Sequence, residues 1–334
     1  MYIVDSYGLA VIFCIITMLG WGSWANTLKM TPKTWEFPLY YWDYSIGLIL
    51  TTLLFGFTFG SHGAEGREFV ADLAQADGSA LASAFLGGVI FNISNLLIVA
   101  ATAIAGLAVA FPIAVGLALA VGVVVNYIAT PLGNPYLLFL GLALVIVAII
   151  VDAVAFKTLP QEKKGDQRKG IIISIISGIL MGFFYRFVAA SMTTDFASPD
   201  AGLMTPYSAM FVFTIGIFIS NFLFNTWFMY KPVTGNAVTF RDYIRLGSPR
   251  LHAIGILGGL IWCAAMEFNL MASEKAGYAI SYGLGQGATM ISAAWGVFVW
   301  KEFAAAPKST NKLLAAMFAL FIVGLGLIVV ARLN

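Results

Sequence analysis

Long apolar segments, each of about 20 residues, set the strongest limit on how this chain can fold. At a rise of about 1.5 Å per residue, such a segment crosses a hydrocarbon core of about 30 Å as a helix. A β-barrel would need short strands of alternating polarity instead. Hydrophobic residues make up 60% of the chain and charged residues 10%, with a mean hydropathy of +0.90, which excludes an ordinary water-soluble protein. The sequence predicts an all-α polytopic membrane protein with about ten transmembrane helices, at 6–29, 37–60, 79–102, 105–128, 135–156, 170–192, 204–230, 250–273, 277–300 and 311–331.

Lysine and arginine residues are distributed unequally between the predicted loops. Of the 18 in the chain, fourteen lie in loops on one side of the membrane, three lie on the other side, and Arg186 lies within a span. Basic loops are retained on the cytoplasmic side, so the pattern predicts a multi-pass protein of the inner (plasma) membrane with both termini outside. The first span has no basic residue before it and no small-residue cleavage site after it, so we expect it to be retained.

An internal repeat relates the two halves of the chain. The sequence Leu-Gly-Gly-Val-Ile at 86–90 recurs as Leu-Gly-Gly-Leu-Ile at 257–261, and the same offset of 171 places Ala105-Gly106 on Ala276-Gly277. A weaker match at an offset of 162 pairs the first and sixth spans. Five spans per half is an odd number, so the sequence predicts a 5+5 inverted-topology repeat. The halves are 1–156 and 170–334, joined by a cytoplasmic linker at 157–169.

The inverted repeat favours a transporter, because two inverted halves can adopt mirror-related packings around one site. We expect a secondary active transporter that works by alternating access. A multidrug or metabolite exporter and a channel are the alternatives, since some channels are also inverted duplications.

Among the charged residues within predicted spans, three stand out, because a charge near the middle of the bilayer costs at least about 2.5–3.5 kcal/mol to insert. They are Asp43, Arg186 and Glu267. Arg186 and Glu267 reach similar depths and could form an ion pair, which would be either a constitutive salt bridge or part of a proton-coupling site. Asp43 lies about two turns from the cytoplasmic edge, where it could also cap a helix or snorkel.

Uncharged polar and aromatic residues recur at helical spacing and are the candidate substrate ligands. Amides and hydroxyls pair with a neutral polar solute, and indole and phenol rings stack on a sugar or a planar ring. For each amide, a hydrogen bond between helices is an equally good explanation. The candidates are Trp21, Trp24, Asn26, Asn92, Asn95, Tyr278, Tyr282 and Gln286. Pro112 and Gly283 occupy matching positions in the two halves and are the candidate hinges.

Enzymatic and metal chemistry find no support in the sequence. The two cysteines fall inside predicted spans, and the two histidines fall in or beside loops, so neither forms a metal cluster or a nucleophile–base pair. We therefore expect no enzyme activity, no cofactor, no bound metal and no nucleic-acid partner. The expected partners are a small-molecule substrate, a coupling ion that is H+ in the simplest scheme, and the lipid bilayer, with a homodimer left open.

Four stretches of the chain resemble the ureide permease branch of the drug/metabolite transporter superfamily, which also includes bacterial glucose/ribose and rhamnose porters. They are the opening Met-Tyr-Ile-Val-Asp-Ser-Tyr-Gly, Trp42-Asp43-Tyr44, the Gly-Gly-Val-Ile-Phe-Asn-Ile-Ser-Asn stretch ending at Asn95, and 295–303 with Lys301-Glu302. The resemblance implies a ten-helix inverted-repeat fold and cation-driven uptake of ureides, nucleobases or sugars. Plant members carry a long central loop with an ATP-binding-like motif, whereas the linker here contains no GxxxxGK[ST].

Overall fold

Helices account for all the regular secondary structure in a computed structural model that describes residues 1–159, 167–233 and 235–333. Positions 160–166 of the predicted linker lie outside the described residues. The helices are α1 Tyr7–Ser23, α2 Asn26–Lys29, α3 Phe37–Phe57, α4 Phe69–Gln75, α5 Gly78–Ala105, α6 Leu107–Ala129, α7 Pro135–Lys157, α8 Gln167–Ala190, α9 Pro206–Asn221, α10 Phe224–Tyr230, α11 Phe240–Leu246, α12 Pro249–Ala276, α13 Tyr278–Gly285, α14 Ala288–Ala294 and α15 Thr310–Val330, with a π-helical turn at Trp295–Val299.

Eight helical segments of the described chain are long and apolar enough to cross a membrane. Two predicted spans are not among them. The span at 37–60 forms α3, which carries several polar and aromatic residues, and the span at 277–300 is divided among α13, α14 and the π-helical turn. The structure therefore confirms an all-helical polytopic protein.

Helix breaks occur in three of the predicted spans. The first is interrupted after Ser23, the seventh at 222–223 and the ninth at 286–287. In the ninth, Gly285 lies against the ring of Trp21 so closely that a Cβ atom would collide with it. The predicted hinge residue Gly283 lies within α13, just before this break, whereas Pro112 lies inside α6, which continues past it.

Tight glycine turns join two pairs of consecutive helices. Gly106 has a φ of +88° and connects α5 to α6, and Gly277 has a φ of +85° and connects α12 to α13. This left-handed backbone conformation is readily available only to glycine. The two glycines are separated by the 171-residue offset found in the sequence.

Helix packing crosses between the two halves of the chain. α12 packs on α1 and α3, and α5 packs on α8 and α9, while α7 packs on α15. Glycines make this close approach possible, because a Cβ atom on Gly88 of α5 would collide with the carbonyl oxygen of Phe213 in α9. A Cβ atom on Gly259 of α12 would collide in the same way with the carbonyl oxygen of Tyr44 in α3.

Buried polar contacts follow the same crossed pattern. The Asn92 amide in α5 donates to the Ile217 carbonyl oxygen of α9 at 3.2 Å. The Cys263 thiol in α12 donates to the Leu48 carbonyl oxygen of α3 at 3.3 Å. Each pair therefore joins a helix of one half to a helix of the other.

Candidate functional site

A cavity of about 370 Å³ lies between helices from both halves of the chain. Both halves of the chain line it: α1, α2, α3, α5 and α6 belong to the first half, and α8, α12 and α14 belong to the second half. Its volume is within the range of about 300–1,000 Å³ that is typical of small-molecule sites. The lining residues are Trp21, Trp24, Ala25, Leu28, Phe37, Phe91, Asn95, Ile98, Val99, Thr102, Phe111, Ala114, Val115, Ala118, Met181, Phe184, Trp262, Gln286, Ala288, Thr289 and Ser292.

Aromatic rings in mutual contact form one part of the cavity wall. Trp21 stacks on Trp262 with ring centroids 5.9 Å apart and an interplanar angle of 14°. Phe91 lies 4.5 Å from Trp262 and 5.1 Å from Phe184, centroid to centroid. These rings offer flat apolar surfaces on which a planar ligand can stack. Trp262, Phe91 and Phe184 were not predicted, because an aromatic residue within an apolar span is typical of packing between helices.

Polar groups in the cavity wall are few and uncharged. Asn95 is almost fully buried and donates to the Tyr41 hydroxyl at 3.1 Å. The Trp21 indole N–H is buried without a hydrogen-bond partner among the described residues. Ser292 donates to the Gly22 carbonyl oxygen at 3.1 Å, which leaves its hydroxyl oxygen able to accept. None of the lining residues carries a charge, so this wall suits a neutral polar molecule.

The predicted ligand residues divide into two groups. Trp21, Trp24, Asn95 and Gln286 line the cavity. The other four make contacts elsewhere: Asn26 accepts from the Trp300 indole, Asn92 joins α5 to α9, Tyr278 donates to the Thr193 carbonyl oxygen, and Tyr282 donates to the carbonyl oxygens of Ala118 and Met181. Tyr282 thus supports the cavity wall from behind.

Glu267 and Arg186 do not form the ion pair that their similar depths suggested. No salt bridge within 4.0 Å joins them in the described chain. Glu267 is completely buried in α12, and neither of its carboxylate oxygens has a hydrogen-bond partner there. Similar depth in two helices does not fix the direction in which each side chain points, and Arg186 is only half-buried.

Asp43 neither caps a helix nor snorkels, because its carboxylate forms hydrogen bonds with the side chains of Tyr243 and His252. It is buried in α3, accepts from the Tyr243 hydroxyl, and lies 2.9 Å from Nδ1 of His252. Burial, together with the hydrogen bond to Asp43, raises the pKa of Tyr243, so the phenol stays protonated and donates. The sequence predicts His252 in or beside a loop, and it lies near the start of α12.

A buried hydrogen-bond network of residues outside the cavity lining adjoins Trp21 through Gly285. Tyr185 of α8 donates to Oδ1 of Asn269 in α12 at 2.7 Å, and its hydroxyl lies 3.0 Å from the Ser281 hydroxyl. The Asn269 amide donates to the Ser281 carbonyl oxygen at 2.9 Å. Gly285, which lies against Trp21, also lies against the Asn269 amide. The network therefore ties α8, α12 and α13 together at a single point.

No group of three or more His, Cys, Asp or Glu side chains that could hold a metal ion occurs among the described residues.

A protein-family model described as ureide permease matches the chain over residues 40–169 and 163–331. The chain belongs to the ureide permease family. Ureide permease 2 of Arabidopsis thaliana is 24% identical to it over an alignment that covers 96% of each chain. Ureide permease 5 of the same plant is 24% identical and covers 98% of this chain and 95% of its own. A solved crystal structure of a protein with 15% identity matches 98% of this chain and 99% of its own with a TM-score of 0.58, which shows a shared fold alone.

Members of the ureide permease family are transporters. The protein is therefore a multi-pass membrane transporter of small metabolites and not an enzyme. The resemblance found in the sequence is confirmed at the level of this family.

Proposed function

We propose that the protein is a secondary active transporter that carries a small neutral polar metabolite across the inner (plasma) membrane by alternating access. The observation that supports this most is the cavity wall, which combines stacked aromatic rings with amides and hydroxyls and contains no charged side chain. Ureides are neutral and rich in amide groups, so they fit such a wall, as do nucleobases and sugars. Of these, ureides are the solutes named in relatives that cover 96% and 98% of this chain.

The crossed packing supports a 5+5 inverted repeat with halves at 1–156 and 170–334. Exchanging the halves maps the α5–α8 contact onto α12–α1 and the α5–α9 contact onto α12–α3. The α7–α15 contact maps onto itself: Gly141 approaches the Gly324 carbonyl oxygen, and Gly324 approaches that of Gly141. α13 and α14 together take the place of α6. Counted in this way, α3 and the broken α13–α14 segment complete ten spans.

Fourteen basic loop residues lie on one membrane face, which we name the basic face. In this proposal the cavity opens toward that face. Leu28, Phe37 and Thr102 line the cavity and lie at the ends of α2, α3 and α5 that point to this face. With both termini outside, the basic face is cytoplasmic, and the structure corresponds to an inward-open state. The Tyr185–Asn269–Ser281 network then closes the outer side.

Glu267 is the proposed proton carrier. An unpaired carboxylate that is completely buried is costly as an anion, so it holds a proton in this state and releases it once water reaches it. Arg186 does not neutralise it here, and Asp43 is already engaged by Tyr243 and His252. Export of lipophilic cations, the alternative within the superfamily, is less well supported, because no carboxylate lines the cavity.

Uptake into proteoliposomes tests the proposed function directly. Purified protein should accumulate a labelled ureide such as allantoin, a nucleobase or a sugar above equilibrium when an inward proton gradient is imposed. Flux should saturate with concentration, and competition by unlabelled solutes should identify the class that binds. Flux that never saturates or never exceeds equilibrium would indicate a channel, and competition by lipophilic cations alone would indicate a drug exporter.

Replacing Asn95 with leucine should weaken substrate binding about 10-fold. The substitution keeps the size of the side chain but removes the amide from the cavity wall, and one hydrogen bond between neutral groups contributes about 0.5–1.5 kcal/mol. Substrate-induced thermal stabilisation and the KM for uptake measure the effect. Asn26→Leu is the matched control, because this amide lies outside the cavity. Equal losses in the two variants would remove Asn95 from the site.

Replacing Tyr185 with phenylalanine should weaken the closed outer side. The Asn269 amide oxygen would lose its donor, at a cost of about 1–3 kcal/mol, so outward-open states become more populated. A cysteine at Gln286 in the cavity should then react several-fold faster with an impermeant maleimide that is added outside. Tyr127→Phe is the control, since this hydroxyl bonds to the Gly133 carbonyl oxygen away from the cavity. An unchanged labelling rate in Tyr185→Phe would show that the network is not the barrier.

A further inference from the structure

Two short helices, α4 and α11, occupy equivalent places in the two halves of the chain. α4 spans Phe69–Gln75 and α11 spans Phe240–Leu246, which is the 171-residue offset of the internal repeat. Each directly precedes a helix that forms a cavity wall, α5 or α12. They lie at opposite ends of α3, because the Phe69 ring covers Gly56 near its end and Tyr243 reaches Asp43 near its start.

In α4, Asp72 bonds to the first turn of α9 in the other half. Its fully buried carboxylate accepts from the Thr205 backbone N–H at 2.7 Å, from the Thr205 hydroxyl at 2.9 Å, and from the Ser208 hydroxyl. Arg67 pairs with Asp72 at 2.9 Å and donates to the Leu203 carbonyl oxygen at 3.2 Å. Asp72 therefore satisfies backbone and side-chain donors at the start of a helix from the opposite half.

In α11, the residue equivalent to Asp72 also forms a hydrogen bond to a helix of the opposite half. This residue is Tyr243, 171 positions later, and its hydroxyl donates to Asp43 of α3. His252, at the start of α12, lies 2.9 Å from the same carboxylate. The Trp35 ring packs against both partners, with centroids 5.7 Å from Tyr243 and 5.4 Å from His252. α11 and the start of α12 are thereby fixed to α3.

We propose that Asp72 and Tyr243 are positioning residues for transport, which hold α5 to α9 and α12 to α3 as two composite units. Each unit takes helices from both halves of the sequence, and each carries one wall of the cavity, with Asn95 on α5 and Trp262 on α12. This proposal rests on the proposed function. If the two sequence halves moved as rigid bodies, the hydrogen bonds of Asp72 and Tyr243 would resist the movement, because each joins one half to the other. When the composite units move, the bonds stay intact.

Removing either bond should slow transport without weakening substrate binding. Asp72→Ala and Tyr243→Phe should each lower the Vmax of uptake at least five-fold, while the KM and the substrate-induced thermal shift change less than two-fold. Glu68→Ala and Tyr230→Phe are the controls, because both residues are exposed, Glu68 directly precedes α4, and Tyr230 ends α10, the helix before α11. A Vmax equal to that of the wild type, or a loss of binding that accounts for the lower Vmax, would overturn the proposal.

A disulfide within one unit provides a test that does not depend on removing the bonds. The native Cys263 thiol of α12 donates to the Leu48 carbonyl oxygen of α3, about one turn before Thr51, whose side chain is also a neighbour of this thiol, so Thr51→Cys offers it a partner for a disulfide. The oxidised Thr51→Cys variant should keep at least half of its uptake. In a second variant, cysteines at Leu28 and Thr102 that are bridged across the cavity mouth should stop uptake. Loss of uptake on oxidation that reductant restores would show that α3 and α12 move apart, and would overturn the proposal.

Wild-type uptake separates the two proposals. If no solute is transported, the proposed function fails, and the composite units are tested by labelling a cysteine at Ser292 in the cavity. The maleimide labelling rate should be the same with and without the Thr51–Cys263 crosslink. A change in this rate would overturn the composite units independently of transport.

Discussion

Glu267→Gln should abolish the accumulation of substrate driven by a proton gradient. Glutamine keeps the shape and hydrogen-bonding groups of a protonated carboxyl but cannot release a proton. The accumulation ratio should fall from above 10 toward 1, while exchange of labelled for unlabelled substrate continues. The physical reason is the complete burial of Glu267 without a partner for either oxygen, which strongly favours the neutral form until water enters. Measuring uptake and exchange in the same proteoliposomes separates coupling from binding.

Asp152→Asn is the informative control for Glu267→Gln. Asp152 is a second carboxylate within a long apolar helix, α7, and its Oδ1 atom is also buried without a partner in the described structure. It lies on a helix that contributes no residue to the cavity wall. We expect this variant to accumulate substrate normally. If Asp152→Asn loses accumulation and Glu267→Gln keeps it, coupling belongs to α7 and the proposed role of Glu267 is wrong.

Hydropathy predicted the long helices well because insertion into lipid depends on the average polarity of about 20 residues. The same averaging hides local features. A window over 277–300 cannot distinguish a continuous helix from α13, α14 and a π-helical turn, since Gly285 and Gly287 break the helix without making it polar. α4 and α11 were missed because helices of seven residues are too short to give a hydropathy signal. Their equivalence becomes apparent only once the 171-residue offset is applied to loops.

Cavity residues were predictable where a polar or amphipathic side chain stood out against apolar neighbours, as with Trp21, Asn95 and Gln286. Trp262 could not be identified in this way, because the sequence does not show whether an indole faces a neighbouring helix or an open space. The ion pair expected between Arg186 and Glu267 failed for a similar reason. Depth follows from counting residues, but orientation around a helix depends on how the helix packs.

Close contacts between helix backbones explain why the repeat is most visible around Gly88 and Gly259. At these sites the neighbouring backbone leaves no room for a side chain, so the same residue is required in both halves. The partner helices α3 and α9 also need a glycine at these contacts, because a Cβ atom on Gly47 would collide with the Ile256 carbonyl oxygen and one on Gly216 with the Phe85 carbonyl oxygen. These two glycines are 169 residues apart, and a single glycine shared at an offset that differs from 171 is hard to recognise in the sequence.

Gly88→Ala and Gly259→Ala should each destabilise the folded protein by about 3 kcal/mol, because the new methyl group would force two backbones apart. Detergent-solubilised protein should show an apparent Tm roughly 5–10 °C lower. Gly116→Ala is the matched control, since no atom lies within 4 Å of the position that its methyl group would occupy and alanine favours helix by up to about 1 kcal/mol. The two contacts are related by the proposed inverted repeat, so their Tm decreases should be similar. A large decrease in one variant and none in the other would show that the halves do not share the same packing, and the equivalence on which the composite units depend would fail.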